Sequence, residues 1–581
     1  MRILLVGKTG REPGYQAWHA SLVRAGVPFD AILAVDQGSP VVLISPDGAV
    51  RYQALILAGE GLLDGLLDGA QLALAERDAG LRRLNAYAYP GPQFGLTPPT
   101  WAGRLDGVTA RLTASGRELF PYLNGPVRIA RGTWGYLATA EPGRHFETLL
   151  LGPGGSSLLG IHFDDDGREE MVQTFDANSA QMHGHLLRQG LLAWLTREVH
   201  VGYQRNYLTV HVDDVLLPNH GWDPVRHATG TGILRMTAQD AARAARWSRE
   251  QGIRLDLACN GAGSQRHALE TGAPGDPLLD ALLAERDAFG WINHTFEHRD
   301  LSDASQAAIE REIQRNLAWA ADHGIKFEPH VLVTGEHTGL ADLTATPPRG
   351  ENRNLAPALS AQGIRFLACD ASRPYPSRSC ELDSAPTPAG MPFTTGDTFV
   401  IPRYPTVLAH DVATPGQLLD RLRHTGGTRA ATWPQLVSAE AQRIVAKVVG
   451  NDPRPHFSHQ SNLVTADVGD ESSRSSLLSE LMDAVVSLYR SLILPSMPIA
   501  QPTMAEVGAS LLRLQAWHDA WATGQVAAFR EANAVTVVNR AGQAVELPLT
   551  GTRIGEDYGG MRSGWVRIDP GTTVFESAAS G

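Results

Sequence analysis

Apolar positions along this chain fall into two rhythms. Short unbroken runs such as Ile3-Leu-Leu-Val6 and Ala54-Leu-Ile-Leu-Ala58 have the make-up of buried strands, while longer segments space their apolar residues at helical intervals. In residues 1–100 the runs predict strands at 3–6, 29–35 and 54–58. Helices are predicted over 15–25, where Gly26 supplies the stop, and over 62–81. The alternation predicts a flavodoxin-like α/β accessory domain over 1–100. From 101 to 204 short runs at 127–130, 148–151 and 157–161 are separated by Gly and Pro, which predicts a β-rich accessory region closing in a helix over 184–197. Between 205 and 494 strand-like runs recur at 207–213, 254–259, 289–293, 331–334, 364–369 and 399–402. Helical patterns over 237–251, 278–288 and 302–323 fall between them. That cadence predicts a (β/α) barrel rather than an open sheet. Beyond it come a helix over 475–492, a Pro-punctuated linker at 495–502, a helix over 504–529 and a small β appendage from 535, so 495–581 forms the last region.

Chemistry gathers at the predicted strand ends. The run Asn206-Tyr-Leu-Thr-Val-His-Val finishes on Asp213 and Asp214, two carboxylates that repel each other and resist burial unless a cation is near. Phe289-Gly-Trp-Ile-Asn293 runs into His294-Thr-Phe-Glu-His298, whose two imidazoles have zinc-ligand spacing. Asn260, Glu336-His337, Asp370 with Arg373, Arg403-Tyr404 and His459 follow the other runs. In a barrel the strand C-termini open on one face, so these residues are expected to line one pocket. One carboxylate with two imidazoles leaves a coordination position open, which suits catalysis.

Composition narrows the class. At 581 residues the chain needs more than one domain, and 43% hydrophobic with 19% charged residues is globular. A net charge of −12 offers no footprint for nucleic acid, and no apolar run is long enough to span a membrane. The opening residues read as a first strand and not a signal peptide, so export is not encoded in the chain as given. The expected location is cytoplasmic on sequence alone, or extracellular if a leader has been removed; a monomer is expected. Three cysteines make no disulfide framework: Cys259 and Cys369 sit in apolar runs, and a Cys369–Cys380 bridge would need an oxidising compartment. Gly7-Lys-Thr-Gly10 lacks the full phosphate-loop pattern, and Asp164-Asp-Asp166 reads as a solvated turn.

His211-Val-Asp213-Asp214 resembles the first motif of the polysaccharide deacetylases, and His294-Thr-Phe-Glu-His298 resembles their H-[ST]-x-x-H second motif. With its long N-terminal half the chain is most similar to the fungal galactosaminogalactan deacetylases and their bacterial relatives. The resemblance covers roughly 205–465 and implies a distorted TIM-type deacetylase barrel. It implies one divalent ion, zinc, held by Asp214, His294 and His298, with Asp213 as general base, His459 as general acid and Asp370 as a supporting carboxylate. His456 and His410 compete with His459 for the acid. The family's Arg-x-Pro-Tyr third motif is absent after the 331–334 run, so Glu336, His337 and Arg373 stand as candidates to tether the base. The implied substrate is an N-acetylated amino-sugar polysaccharide, containing N-acetylgalactosamine or N-acetylglucosamine, and the implied reaction is hydrolysis of its acetamide. A bound divalent ion lowers the pKa of water towards about 7 and polarises a carbonyl. Trp222, Trp291 and Tyr375 are candidates for stacking on sugars, against ordinary packing. The rivals are a barrel glycoside hydrolase, whose carboxylates must flank the bond about 5–9.5 Å apart, and a non-catalytic carbohydrate-binding barrel.

Overall fold

Parallel strands dominate the middle of the chain, as seen in a computed structural model that describes residues 1–36, 41–62, 66–373, 394–427, 432–465 and 475–578. Seven of them build a barrel: β1 (Val210–Val215), β2 (Leu255–Cys259), β3 (Phe289–Asn293), β4 (Val331–Leu332), β5 (Phe366–Asp370), β6 (Thr398–Pro405) and β7 (His456–His459). Their order is β3-β2-β1-β7-β6-β5-β4, every neighbouring pair parallel. The two ends of that sheet nearly meet, where the Val333 N–H donates to the Asn293 carbonyl at 3.0 Å. The chain is therefore α/β with a nearly closed barrel.

Period-two alternation sorts the strand residues. Val210, Val212, Leu255 and Leu257 face out and pack with Ala241, Leu282 and Leu481 of the surrounding helices. Ala258, Ile292, Val331, Val333, Phe366, Ala368 and Ile401 face in and form a separate lumenal cluster with Met504 and Val507. Those last two belong to α3 (Met504–Ala522); the other helices used below are α1 (Gln306–Asp322) and α2 (Pro415–His424). A capping box between Thr503 and Glu506 starts α3, and the Glu328 carboxylate accepts the amides of Met504 and Ala505 at 3.2 and 2.6 Å. The helix thus closes the N-terminal mouth of the barrel, which leaves the C-terminal rim for chemistry.

A nine-stranded sheet precedes the barrel. Parallel strands Phe29–Leu33, Ile3–Gly7, Ala54–Leu57 and Arg82–Asn85 lead into Glu169–Gln173, Ser157–Phe163, His145–Leu151, Thr109–Leu112 and Val127–Arg128. Strands from either side of residue 100 therefore share one ladder, joined where Glu169–Gln173 lies parallel to Arg82–Asn85. After α3 two small sheets enclose Trp517, Trp521, Val535, Val537, Leu547 and Leu549. α3 itself is fastened to the cap of the N-terminal helix Pro13–Ala25, because Trp517 Nε1 donates to the Gly26 carbonyl at 2.7 Å.

Local chemistry moves some boundaries. The helix expected over 62–81 is Gly69–Ala79, since the Asp68 side chain caps the amides of Ala70 and Gln71. The helix expected to reach 529 stops at Ala522, where Thr523-Gly524 turns the chain into a strand, Val526–Glu531. Arg168 pairs with both Asp164 and Asp166, so two of the three carboxylates of that turn already have a partner. No helix among the described residues is long and apolar enough to cross a membrane. Tyr375 and Cys380 lie outside the described residues.

Gly508 tests the α3 contact. A Cβ there would sit 2.3 Å from the Phe366 ring. Ala in place of Gly ordinarily stabilises a helix by about 1 kcal/mol. At this site we expect Gly508→Ala to destabilise the protein instead, by about 1–3 kcal/mol of overpacking, read from urea denaturation.

Candidate metal centre and catalytic pocket

A regular strand cannot aim two consecutive side chains at one face. At the end of β1 the register with β2 slips between Val212 and Val215, and Asp214 takes a left-handed backbone with φ 63°. The irregularity lets Asp213 and Asp214 both line the pocket at the C-terminal rim. Each buried carboxylate then meets a different counter-charge.

Asp213 is held by Arg403 of β6 through two short bonds, Nη1 to Oδ1 at 2.8 Å and Nη2 to Oδ2 at 2.7 Å. Arg403 is fully buried, its guanidinium 4.4 Å from the Phe457 ring centroid. Burial alone would raise the Asp213 pKa, but the charge and hydrogen bonds of Arg403 hold it well below the ordinary carboxylate range. The tether of this carboxylate is thus Arg403, and not the Glu336, His337 or Arg373 suggested by the missing third motif. His337 Nε2 lies 3.4 Å from Arg403 Nη2, while Arg373 donates to the Glu336 carbonyl at 3.0 Å. A charge on the inward rhythm Phe399, Ile401, Arg403 was the available signal, because a guanidinium inside a strand needs a buried partner.

Asp214 faces the imidazoles. Its Oδ1 lies 3.3 Å from His294 Nε2 and 3.0 Å from His298 Nε2. One ligand atom from each of the three residues falls within 4.8 Å of the others. His294 Nδ1 donates to the Val333 carbonyl at 3.0 Å, which fixes the ring and turns Nε2 toward Asp214, the nitrogen that would hold an ion. Asn219 Nδ2 donates to Asp214 Oδ2 at 3.0 Å, and Gln460 in turn holds Asn219. These donors and their outer partners fit a divalent transition metal such as zinc. Burial opposes charge on Asp214, yet the hydrogen bonds of His294 and His298 keep it well below its usual pKa. For His298 the same bond outweighs burial and raises the pKa.

The loop carrying the two imidazoles is braced from below. Asn260 Nδ2 donates to the carbonyls of His294 and Thr295, and Asn293 Oδ1 accepts the Thr295 amide at 2.9 Å. Asn316 of α1 donates to Asn293 Oδ1 at 2.8 Å and to the Cys259 carbonyl at 2.7 Å. Thr295, His298, Glu336 and His337 all have positive φ. Left-handed backbone costs about 1–3 kcal/mol per residue and persists where surroundings over-determine it. Here that bracing is visible.

The cavity of about 420 Å³ at this rim is lined by Asp213, Asp214, His294, His298, Asp370, His410 and His459, among others. His459 pairs in register with Asp213, and its buried Nδ1 has no hydrogen-bond partner among the described residues. Burial lowers the His459 pKa, a shift opposed by the charges of Asp214 and Asp213. His410 also reaches the cavity, its ring 5.6 Å from that of His459, whereas His456 faces Tyr404 on the outer side of β7. Asp370 accepts the Ser372 amide and hydroxyl at 2.8 and 2.7 Å and lies 3.5 Å from Arg373. Trp222 and Trp291 are buried packing residues whose indoles donate to Asp420 and to the Arg286 carbonyl. Cys259 is a buried thiol beneath the rim. Replacing Arg403 by Met would leave Asp213 buried and unpaired, so we expect a loss of about 3–5 kcal/mol in chemical denaturation. Asp213→Asn combined with Arg403→Met should lose less than the two single changes summed.

Comparison with known proteins bears on the fold and on part of the barrel. Residues 267–516 match the family model of the Agd3 deacetylase domain. The crystal structure of Agd3, described as a novel carbohydrate deacetylase, superposes with a TM-score of 0.82 at 19% identity, covering 100% of this chain and 98% of that one. A family 4 carbohydrate esterase from Streptomyces lividans matches at 13% identity and TM-score 0.21, over 47% of this chain and 98% of its own. The Bc1960 peptidoglycan N-acetylglucosamine deacetylase matches at 12% identity and TM-score 0.19, over 42% and 95%. No curated protein matches at the sequence level. The expected resemblance to deacetylases is borne out at the level of domain and fold: the chain has the fold of Agd3, and its residues 267–516, which hold His294 and His298, match the Agd3 deacetylase domain.

Proposed function

We propose that this pocket hydrolyses the acetamide of an N-acetylated amino-sugar polymer, containing N-acetylgalactosamine or N-acetylglucosamine, with one zinc ion held by Asp214, His294 and His298. One observation carries the proposal: the ligand atoms of those three residues converge in the same cavity as a tethered carboxylate, Asp213, and an imidazole, His459. The match of residues 267–516 to a deacetylase domain supports the reaction class. When bound, the ion supplies a polarised acyl carbonyl and a more acidic water.

The remaining work falls to side chains. Asp213, ionised and fixed in orientation by Arg403, accepts the proton of the attacking water. His459 protonates the departing amine, and each such transfer is worth about 10²–10⁴-fold. Asp370 acts through Arg373 and Ser372, which it positions at the wall of the cavity. A glycoside hydrolase needs two carboxylates free to face each other across a bond. Here Asp213 and Asp214 are sequence neighbours on one strand end, and a glycoside hydrolase leaves His294 and His298 at Asp214 without a role, which favours the amidase.

Acetate release from N-acetylhexosamine polymers tests the proposal. Stripping with a chelator should abolish release and zinc should restore it; full activity after complete stripping would refute the metal requirement. Asp213→Asn should retain zinc and lose turnover by about 10²–10⁴-fold. His294→Ala should lose both zinc and turnover. Near-normal turnover in Asp213→Asn would remove Asp213 as the base.

A further inference from the structure

A second set of metal-ligating side chains lies away from this centre. The hairpin of Asn219–Asp223 and Ala228–Leu234 packs on α2, and His227 in its turn meets Asp420 and His424 of the helix. Ligand atoms of these three residues also fall within 4.8 Å of one another. Asp420 and His424 are four apart and share one face of α2. His227 has a φ of 52°, the same left-handed twist seen at Asp214 and His298.

Several features separate this cluster from a chance surface contact. The rings of His227 and His424 stack at 3.6 Å with 17° between their planes. His227 Nδ1 lies 3.0 Å from Asp420 Oδ2. His424 Nδ1 donates to the Asp420 carbonyl at 2.9 Å, which leaves Nε2 as its free lone pair. Trp222 Nε1 donates to Asp420 Oδ2 at 2.8 Å and orients the carboxylate as an outer-shell partner does. Metal–nitrogen and metal–oxygen bonds of about 2.0–2.2 Å put ligand atoms up to about 4 Å apart. Binding would turn the two half-exposed imidazoles out of their stack, so that one nitrogen of each meets the ion.

We propose that His227, Asp420 and His424 form a second site for a divalent transition metal, of the zinc, nickel or copper kind, which clasps the hairpin to α2. Two imidazoles with one carboxylate select such ions over magnesium or calcium. The clasp bears on the catalytic rim, since the hairpin begins at Asn219, which holds Asp214, and α2 carries Arg421, which lines the main cavity. The site stands whether or not the first centre binds zinc.

Zinc uptake by metal-free full-length protein tests this without any activity measurement. In equilibrium dialysis the His298→Ala variant should bind one equivalent of zinc more than His298→Ala combined with His424→Ala. Asp420→Asn on the first background should weaken the remaining site by at least about 10–100-fold, the loss that even an outer-shell change causes. Zinc should also raise the melting temperature of the first variant and leave the second unmoved. Both histidines are half exposed, with side-chain exposures of 44% and 42%, so their removal leaves the fold intact, and melting without zinc checks this. Equal zinc binding with and without His424 would overturn the proposal and leave a hydrogen-bonded surface cluster.

Discussion

Two adjacent carboxylates share one low-dielectric lumen, and almost everything at the rim answers that constraint. Neighbouring like charges push each other's pKa up unless each has its own compensating group. The irregular end of β1 brings Asp213 and Asp214 inward together, and the barrel then separates their surroundings. A guanidinium from β6 takes one, and two imidazoles from the loop after β3 take the other. The division makes one carboxylate a fixed, ionised group and turns the other toward two imidazoles. The Asn260, Asn293 and Asn316 lattice and the cluster of positive φ values are what it takes to hold those imidazoles at that distance.

Much of this was legible because the chemistry sits at the ends of apolar runs. Asp213-Asp214 and His294-x₃-His298 stand out of their strands, and parallel topology brings strand ends together whatever the helices between them do. The choice between His459 and His456, left open by the sequence, is made by the strand β7, where residues three apart face opposite sides. Arg403 is expected at the rim from its place after the 399–402 run, but its role as tether is not: ending the run at Pro402 puts the guanidinium in a loop, whereas β6 continues to Pro405 and buries it. The bulge at Asp214 leaves no trace in residue type, because its left-handed residue is an aspartate and not a glycine.

Long-range pairing set the limits elsewhere. Nothing near Arg82–Asn85 announces that it will lie beside Glu169–Gln173, so a change of texture at residue 100 looked like a border between bodies. The buried pairs Arg83–Glu170 and Arg83–Glu76 sit along that shared edge. A charged strand edge of this kind is open to many local interpretations, and only its partner decides among them.

The placement of α3 has a practical corollary for dissecting the protein. Because Met504 and Val507 fill the base of the lumen against Phe366 and Ile401, an excised barrel ending at residue 494 would present that apolar floor to water. A self-sufficient fragment has to extend through Ala522, and at that point it carries the indoles of Trp517 and Trp521, which are buried among the appendage strands, Val199, Val201, Phe29 and the cap of the first helix. The three regions are thus chained by one helix into a single minimal folding unit.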